Sequence, residues 1–244
     1  MLASDFFTIA RLKEMRAEIC EEGFIPDKFL ADKPDSPMFG VNLACLYPFP
    51  TEVREVYEKL SAQLAALDSG VYVYPIWTTH VTIATFVNFG EHVSPTLQRI
   101  EELKNLTTQI VTQLKPWFMA DREDSIKPFD LWIEQPVISR KAAILPLSDP
   151  SGAITQIRNR VAESLARNPS LRQRLDSLGL NIPPLIHSTV MRFKKVPADA
   201  QKFLSKFDEI SRTVPRSAMR VNQIYITTET KPYMREGEIL QPNL

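Results

Sequence analysis

The order of hydrophobic and polar positions along this chain of 244 residues predicts the same series of strands and helices twice. In the first half the predicted elements are strand, helix, strand, helix and strand, at residues 41–47, 51–67, 80–87, 94–114 and 129–134. The second half repeats that order, at residues 142–147, 151–165, 186–193, 199–210 and 219–226. A period of roughly 100 residues indicates an internal duplication and is too long for a solenoid repeat. We therefore expect an α+β fold of two similar lobes, whose antiparallel or mixed sheets line a central cleft.

A further segment precedes the duplicated part of the chain. Its apolar residues recur at helical spacing, and it ends in the turn-rich stretch DKPDSP at 32–37. The pattern predicts an N-terminal helical extension with a linker, followed by one bilobal domain. The predicted boundaries are 1–36 for the extension and 37–244 for the domain, with lobes at about 40–135 and 140–230.

Composition narrows the classes of protein to which the chain can belong. With 44% hydrophobic residues it can bury a substantial core, and its 29 basic and 29 acidic residues give no global positive field for a nucleic-acid duplex. Two cysteines are too few for a disulfide framework. Neither a signal peptide nor an apolar run of about 18 residues is visible. We expect a cytoplasmic protein without a membrane contact or an obligate protein partner; a nuclear location stays open.

Two segments, HVTIATF at 80–86 and HSTVMRF at 187–193, have nearly the same pattern and use two of the three histidines. In each, a threonine follows the histidine by two positions, an apolar residue comes next, and a phenylalanine ends the segment. Side chains alternate between the faces of a strand, so each histidine shares a face with its threonine. The third histidine, His92, follows in a loop, and we expect it at the surface.

The duplication would bring His80 with Thr82, and His187 with Thr189, to one shared cleft. An imidazole titrates near pH 6.5 and serves as acid or base at neutral pH. Threonine hydroxyls are short donors that suit phosphate oxygens, and neither motif contains a carboxylate that would repel this anion. Two histidines without a third ligand nearby do not favour a zinc site, and we expect no cofactor.

The paired His-x-Thr-x motifs, each apolar at its last position, resemble those of the 2H phosphoesterase superfamily. This superfamily includes 2′,3′-cyclic nucleotide phosphodiesterases and 2′-5′ RNA ligase-like proteins. The resemblance covers about residues 40–230, including the order of elements. It implies that His80 and His187 are the acid–base pair and that Thr82 and Thr189 bind the phosphate. The implied activity is metal-independent hydrolysis of a 2′,3′-cyclic phosphate or a related nucleotide or RNA-end phosphodiester.

Further residues are candidates for contacts with the substrate. Tyr74 and Trp77 before the first motif, and Phe49 after the first strand, are aromatic rings on which a base could stack, with core packing as the alternative. Arg192 in the second motif lies an odd number of positions from His187, so a regular strand would place it on the opposite face. Superfamily members often carry an arginine near this point, which keeps Arg192 a candidate.

Three alternative functions stay open. One is hydrolysis or ligation of 2′-5′ or 3′-5′ bonds in oligonucleotides, or hydrolysis of a sugar cyclic phosphate such as that derived from ADP-ribose. A panel of cyclic phosphates and oligonucleotides would separate these activities. Another is a nucleotide- or RNA-end-binding module without turnover, for which tight binding without product would be evidence. In the third, both histidines are core residues of a structural duplication. The sequence does not say which histidine is the base.

Overall fold

A computed structural model describes residues 9–31, 35–118 and 127–240. The helices in these ranges are Ile9–Glu22 (α1), Lys28–Ala31 (α2), Arg54–Ala65 (α3), Leu97–Phe118 (α4), Ala153–Ala166 (α5), Pro169–Asp176 (α6) and Ala200–Ser211 (α7). The strands are Gly40–Cys45 (β1), Val71–Val73 (β2), Val81–Val87 (β3), Phe129–Ile133 (β4), Val137–Ile138 (β5), Ala142–Ser148 (β6), His187–Phe193 (β7), Ser217–Val221 (β8), Ile224–Lys231 (β9) and Glu236–Leu240 (β10).

The strands form two antiparallel sheets, each of which contains one of the two motif strands. The first has the order β10-β9-β1-β3, and the second has the order β2-β7-β6-β4-β8, with β5 paired to β6. The predicted α+β class, with two sheets that each carry a motif, is confirmed.

The two sheets are not two continuous stretches of chain. Strands β2 and β4 come from the first half but lie in the second sheet, whereas β9 and β10 come from the second half and lie in the first sheet. The predicted lobe boundaries, about 40–135 and 140–230, therefore do not coincide with the sheets. The predicted strand at 219–226 is two strands, β8 and β9, because the chain changes sheets at Asn222 and Gln223.

The N-terminal segment is part of the main core. Ile19 and Phe24 are buried in the same hydrophobic cluster as the strands, and the backbone N–H of Asp27 donates to the carbonyl of Phe193 at 2.7 Å. The described part of the predicted extension thus packs on the rest of the chain. Residues 1–8 and 32–34 of the predicted extension lie outside the described residues.

Both motif strands are anchored from behind by apolar side chains. Phe86 and Phe193, which end the two motifs, are each 0% exposed, as is Ile83. Burial of one such side chain stabilises a fold by about 1.5–3 kcal/mol. Because these residues face the core, the polar residues between them are held toward the opposite side of each strand.

The described helices are too short or too polar to cross a membrane.

Candidate active site

The two motifs open onto one cleft of about 300 Å³. His80, Thr82, His187 and Thr189 all line it, so the structure brings together the four residues that alternation predicted. The remaining lining residues come from both sheets and their connections: Asn42, Tyr74, Thr85, Asn88, Phe89, Asn181, Pro183, Arg192, Glu229 and Tyr233.

A backbone carbonyl two residues earlier lies beside the ring of each histidine. In the first motif the carbonyl of Thr78 accepts a hydrogen bond from Nδ1 of His80 at 2.9 Å. Since a carbonyl only accepts, Nδ1 carries the proton and Nε2 is the basic atom of the neutral ring. In the second motif the Leu185 carbonyl favours protonation of His187, but Nδ1 of His187 makes no hydrogen bond of ordinary geometry to any described residue.

Burial lowers the pKa of both histidines below the usual 6.5. For His80 the bond to Thr78 opposes this shift in pKa. For His187, the charges of His80, Arg158 and Arg192 lower the pKa further, while the nearby carbonyl raises it. Both rings are therefore mainly neutral at pH 7, and a bound phosphate anion would favour their protonation.

The two motif threonines, Thr82 and Thr189, both line the cleft. Thr82 and Thr189 are half-buried, and within the described ranges neither side chain has a hydrogen-bond partner. Their neighbours on the opposite face, Ile83 and Val190, are 0% exposed. The alternation expected for a strand thus holds at the start of each motif.

Arg192 also lines the cleft, so the expectation that it points to the opposite face is wrong. Consecutive residues of β6 pair with Met191 and Thr189, which leaves Val190 as the extra residue of a β-bulge. A bulge shifts the alternation by one position. The fifth residue after His187 therefore returns to the face of the imidazole.

The same irregularity occurs in the first motif. Consecutive residues of β1 pair with Ala84 and Thr82, and Ile83 is the extra residue. This bulge brings Thr85 to the cleft, at the position that Arg192 occupies in the second motif. Thr85 was not among the predicted site residues. Its only signal in the sequence is that it follows His80 by five positions, as Arg192 follows His187.

Arg192 is held by three neighbouring side chains. Its Nε donates to the hydroxyl of Tyr74 at 3.0 Å, and its Nη1 lies 3.3 Å from Oδ2 of Asp27. The guanidinium also lies over the ring of Tyr233, 4.7 Å from the ring centroid, and the hydroxyl of Tyr233 donates to the same Asp27 oxygen. The N-terminal segment thus helps to build the cleft.

Glu229 is a cleft residue that the sequence analysis did not identify. It is 4% exposed, and its carboxyl accepts hydrogen bonds from Nδ2 of Asn42 at 2.9 Å and from the backbone N–H of Met234 at 3.2 Å. Burial raises the pKa of Glu229 to about 7, although those two bonds oppose the shift. The Asn42 amide also accepts a bond from Thr85 at 2.9 Å, which links the carboxyl to the first motif.

Among the other aromatic candidates, only Tyr74 lines the cleft, and it is 2% exposed. Trp77 is 66% exposed and lines a neighbouring depression with Tyr72 and Lys194. Phe49 is 3% exposed and packs edge-on against Tyr57 in the core. The structure does not bring Trp77 or Phe49 to the cleft.

The described parts of the chain contain no group of three or more histidine, cysteine, aspartate or glutamate side chains arranged to hold a metal ion.

Comparison with known proteins gives similarity in structure only. No protein-family model matches the chain, and no curated protein is significantly similar in sequence. TT0787 of Thermus thermophilus is 13% identical, with 83% of this chain and 95% of that chain covered and a TM-score of 0.53. A conserved protein of unknown function from Agrobacterium tumefaciens is 11% identical, with coverages of 91% and 96% and a TM-score of 0.54. Escherichia coli LigT in apo form is 14% identical, with coverages of 85% and 96% and a TM-score of 0.45.

At such low identity these matches concern the fold alone, and the first two share it over most of both chains. In this chain two antiparallel sheets, each with one His-x-Thr segment, meet at one cleft. The chain therefore shares the α+β fold of these two proteins.

Proposed function

We propose that the protein is a metal-independent phosphodiesterase that opens a 2′,3′-cyclic phosphate or a related nucleotide or RNA-end phosphodiester. His80 and His187 are the acid–base pair, and Thr82 and Thr189 bind the phosphate. The observation that carries this proposal is that two imidazoles, and two hydroxyls without a hydrogen-bond partner among the described residues, come from separate motif segments and line the same cleft.

The reaction needs a proton removed on one side of the phosphorus and supplied on the other. The neutral imidazole takes a proton from water, whose oxygen forms a new bond to phosphorus. The bond from phosphorus to one ribose oxygen breaks, and the protonated imidazole gives its proton to that oxygen. The product is a phosphomonoester, and each positioned acid or base contributes about 10²- to 10⁴-fold in rate.

The phosphate oxygens gain charge during this reaction and need donors. The hydroxyls of Thr82 and Thr189 supply two, and Arg192 adds a fixed positive charge at the cleft wall. Donors that are already oriented stabilise such a transition state without reorganisation.

The remainder of the cleft fits a nucleoside. The rings of Tyr233 and Phe89 meet edge-on with centroids 5.5 Å apart, and both line the cleft together with the amide of Asn42. Aromatic rings beside a few placed polar groups are the usual surroundings of a base or ribose.

The test is hydrolysis of adenosine 2′,3′-cyclic phosphate in the presence of EDTA, with the product followed by phosphorus NMR. We expect turnover by the unaltered protein and a loss of about 10²-fold or more in His80→Gln and in His187→Gln, because glutamine keeps the size of the ring but transfers no proton. His92→Gln is the matched control and should retain activity, since His92 does not line the cleft.

Full activity in either cleft variant would contradict the proposal. Tight binding of the cyclic nucleotide without product would instead indicate a binding module. A panel that includes 2′-5′ and 3′-5′ linked dinucleotides separates cyclic-phosphate hydrolysis from the oligonucleotide activities.

A further inference from the structure

A buried arginine connects the two motif segments without lining the cleft. Arg158 on α5 is 8% exposed. Its Nε donates to the carbonyl of Ile83 at 3.3 Å and its Nη2 to that of Thr82 at 3.5 Å. On the other side, its Nη1 donates to Pro184 at 3.2 Å and its Nη2 to Leu185 at 3.0 Å. One guanidinium thus joins the strand of the first motif to the segment that leads into the second.

Ion pairing does not explain the burial of this cation. Over the described ranges no carboxylate lies within ion-pair distance of Arg158; the nearby Asp149, which accepts the backbone N–H of Ile154 at 2.7 Å, favours the charge from a distance. Burial lowers the pKa of Arg158 to about 10, so the side chain is charged at neutral pH. A buried charge is costly unless it is hydrogen-bonded, so the four carbonyls are what compensates for the burial of this side chain.

The carbonyls that Arg158 binds belong to parts of the site that matter for its geometry. Ile83 is the extra residue of the first bulge, and Thr82 carries one of the two phosphate-binding hydroxyls of the proposed function. The Leu185 carbonyl lies beside the ring of His187. A shift of the Thr82 carbonyl or of the Leu185 carbonyl would therefore move a side chain that lines the cleft.

A second connection joins the same parts of the chain. The backbone N–H of Thr85 donates to the carbonyl of Asn181 at 2.8 Å, and the N–H of Asn181 donates back at 2.9 Å. This pair holds the backbone beyond the bulge, and Arg158 holds the backbone at the bulge. Together they leave little freedom for one motif to slide past the other.

We propose that Arg158 is a positioning residue, which fixes the separation of the two motifs and the orientation of His187 through the four carbonyls that it binds. Its catalytic consequence rests on the proposed function. Arginine suits this role because its planar group has five N–H donors directed to both sides, whereas a lysine ammonium has three donors on one nitrogen and cannot span the same set.

The test compares Arg158→Met, Arg158→Lys and the control Arg172→Met, in which an exposed arginine paired with Asp176 is removed. Ring NMR signals give the pKa of each histidine and the affinity for inorganic phosphate, and hydrolysis of the cyclic nucleotide gives kcat and KM. In Arg158→Met we expect kcat to fall about 10- to 100-fold and phosphate to bind about 10-fold more weakly. The pKa of His187 should rise, because a nearby positive charge is lost.

Arg158→Lys keeps the charge but not the span, so we expect its His187 pKa to stay close to that of the unaltered protein while kcat falls about 5-fold or more. A folded Arg158→Met protein with unchanged kcat, phosphate affinity and His187 pKa would overturn the proposal. If that variant does not fold, unchanged kcat in Arg158→Lys would overturn it. If the unaltered protein hydrolyses nothing, the proposed function fails, but the His187 pKa and the phosphate affinity still test Arg158.

Discussion

At the scale of single residues, the chemistry depends on two histidines that share one cleft and whose pKa values are both lowered by burial. A reaction that needs one neutral and one protonated ring is fastest where the singly protonated pair is most populated, between the two pKa values of the pair. Because both lie below the usual 6.5, we expect a bell-shaped profile of kcat/KM with its maximum below pH 6.5. Steady-state hydrolysis measured over a pH series from acid to mildly alkaline checks this, and a maximum on the alkaline side of neutrality would be incompatible with two lowered pKa values.

Strand alternation predicts some of the residues that line the cleft but not others. The period of two places His80 with Thr82 correctly, because no irregularity lies between them. It fails for Arg192 and misses Thr85, because a bulge lies between each of them and its histidine. A bulge depends on pairing with the neighbouring strand, and the neighbour cannot be identified from the motif itself.

At the scale of elements, the segment between α1 and α2 completes the cleft through one carboxylate. The Oδ1 atom of Asp27 accepts the N–H groups of Phe29 at 2.9 Å and Leu30 at 3.2 Å, while Oδ2 receives Arg192 and Tyr233. The short helix and the cleft are thus connected through a single side chain.

Asp27→Asn should separate these two roles. The amide oxygen can still accept from the helix, but its NH₂ group would face the donors of Arg192 and Tyr233, a loss of about 1–3 kcal/mol. We expect a melting temperature lower by about 3–8 °C and a KM higher by about 5- to 20-fold, with kcat less affected. Thermal unfolding and steady-state kinetics check this, with Glu22→Gln as the control, since the ion pair of Glu22 with Arg140 is in the same segment but does not line the cleft. An unchanged KM in Asp27→Asn would show that this carboxylate does not support the cleft.

Element order was largely predictable because helical and strand periodicities are local. The partners of each strand were not, since pairing joins segments that are distant in the chain, and the polar pair Asn222-Gln223 inside the predicted strand at 219–226 does not by itself mark a change of sheet. For the same reason the segment at 1–36 looks separate in the sequence, although Phe24 packs against Phe193 with ring centroids 4.5 Å apart.

At the scale of the whole molecule, the buried carboxyl of Glu229 connects overall stability to pH. Its folded-state pKa of about 7 lies above the ordinary 4.5, so the folded form binds the proton more tightly than the unfolded form. The stability that this group contributes is therefore fully present below pH 4.5 and is lost as pH rises through 7.

We expect the unfolding free energy of the unaltered protein, relative to that of Glu229→Gln, to decrease by about 3 kcal/mol between pH 4.5 and about 8. The comparison cancels the opposite contribution of the histidines, whose lowered pKa values reduce stability as pH falls below 6.5. Urea unfolding of both proteins at a series of pH values measures the difference. A difference that does not vary with pH would mean that Glu229 titrates as an exposed carboxyl does.

The central claim is that His80 and His187 face the same phosphate, and the chain provides its own control because it has only three histidines. The most direct measurement is an NMR titration of the three imidazole signals with inorganic phosphate, assigned with His80→Gln and His187→Gln. We predict that two signals shift together with one binding constant and titrate at higher pH when phosphate is present, while the signal of His92 does not move. Phosphate that shifts only one of the two cleft histidines, or neither, would contradict the account.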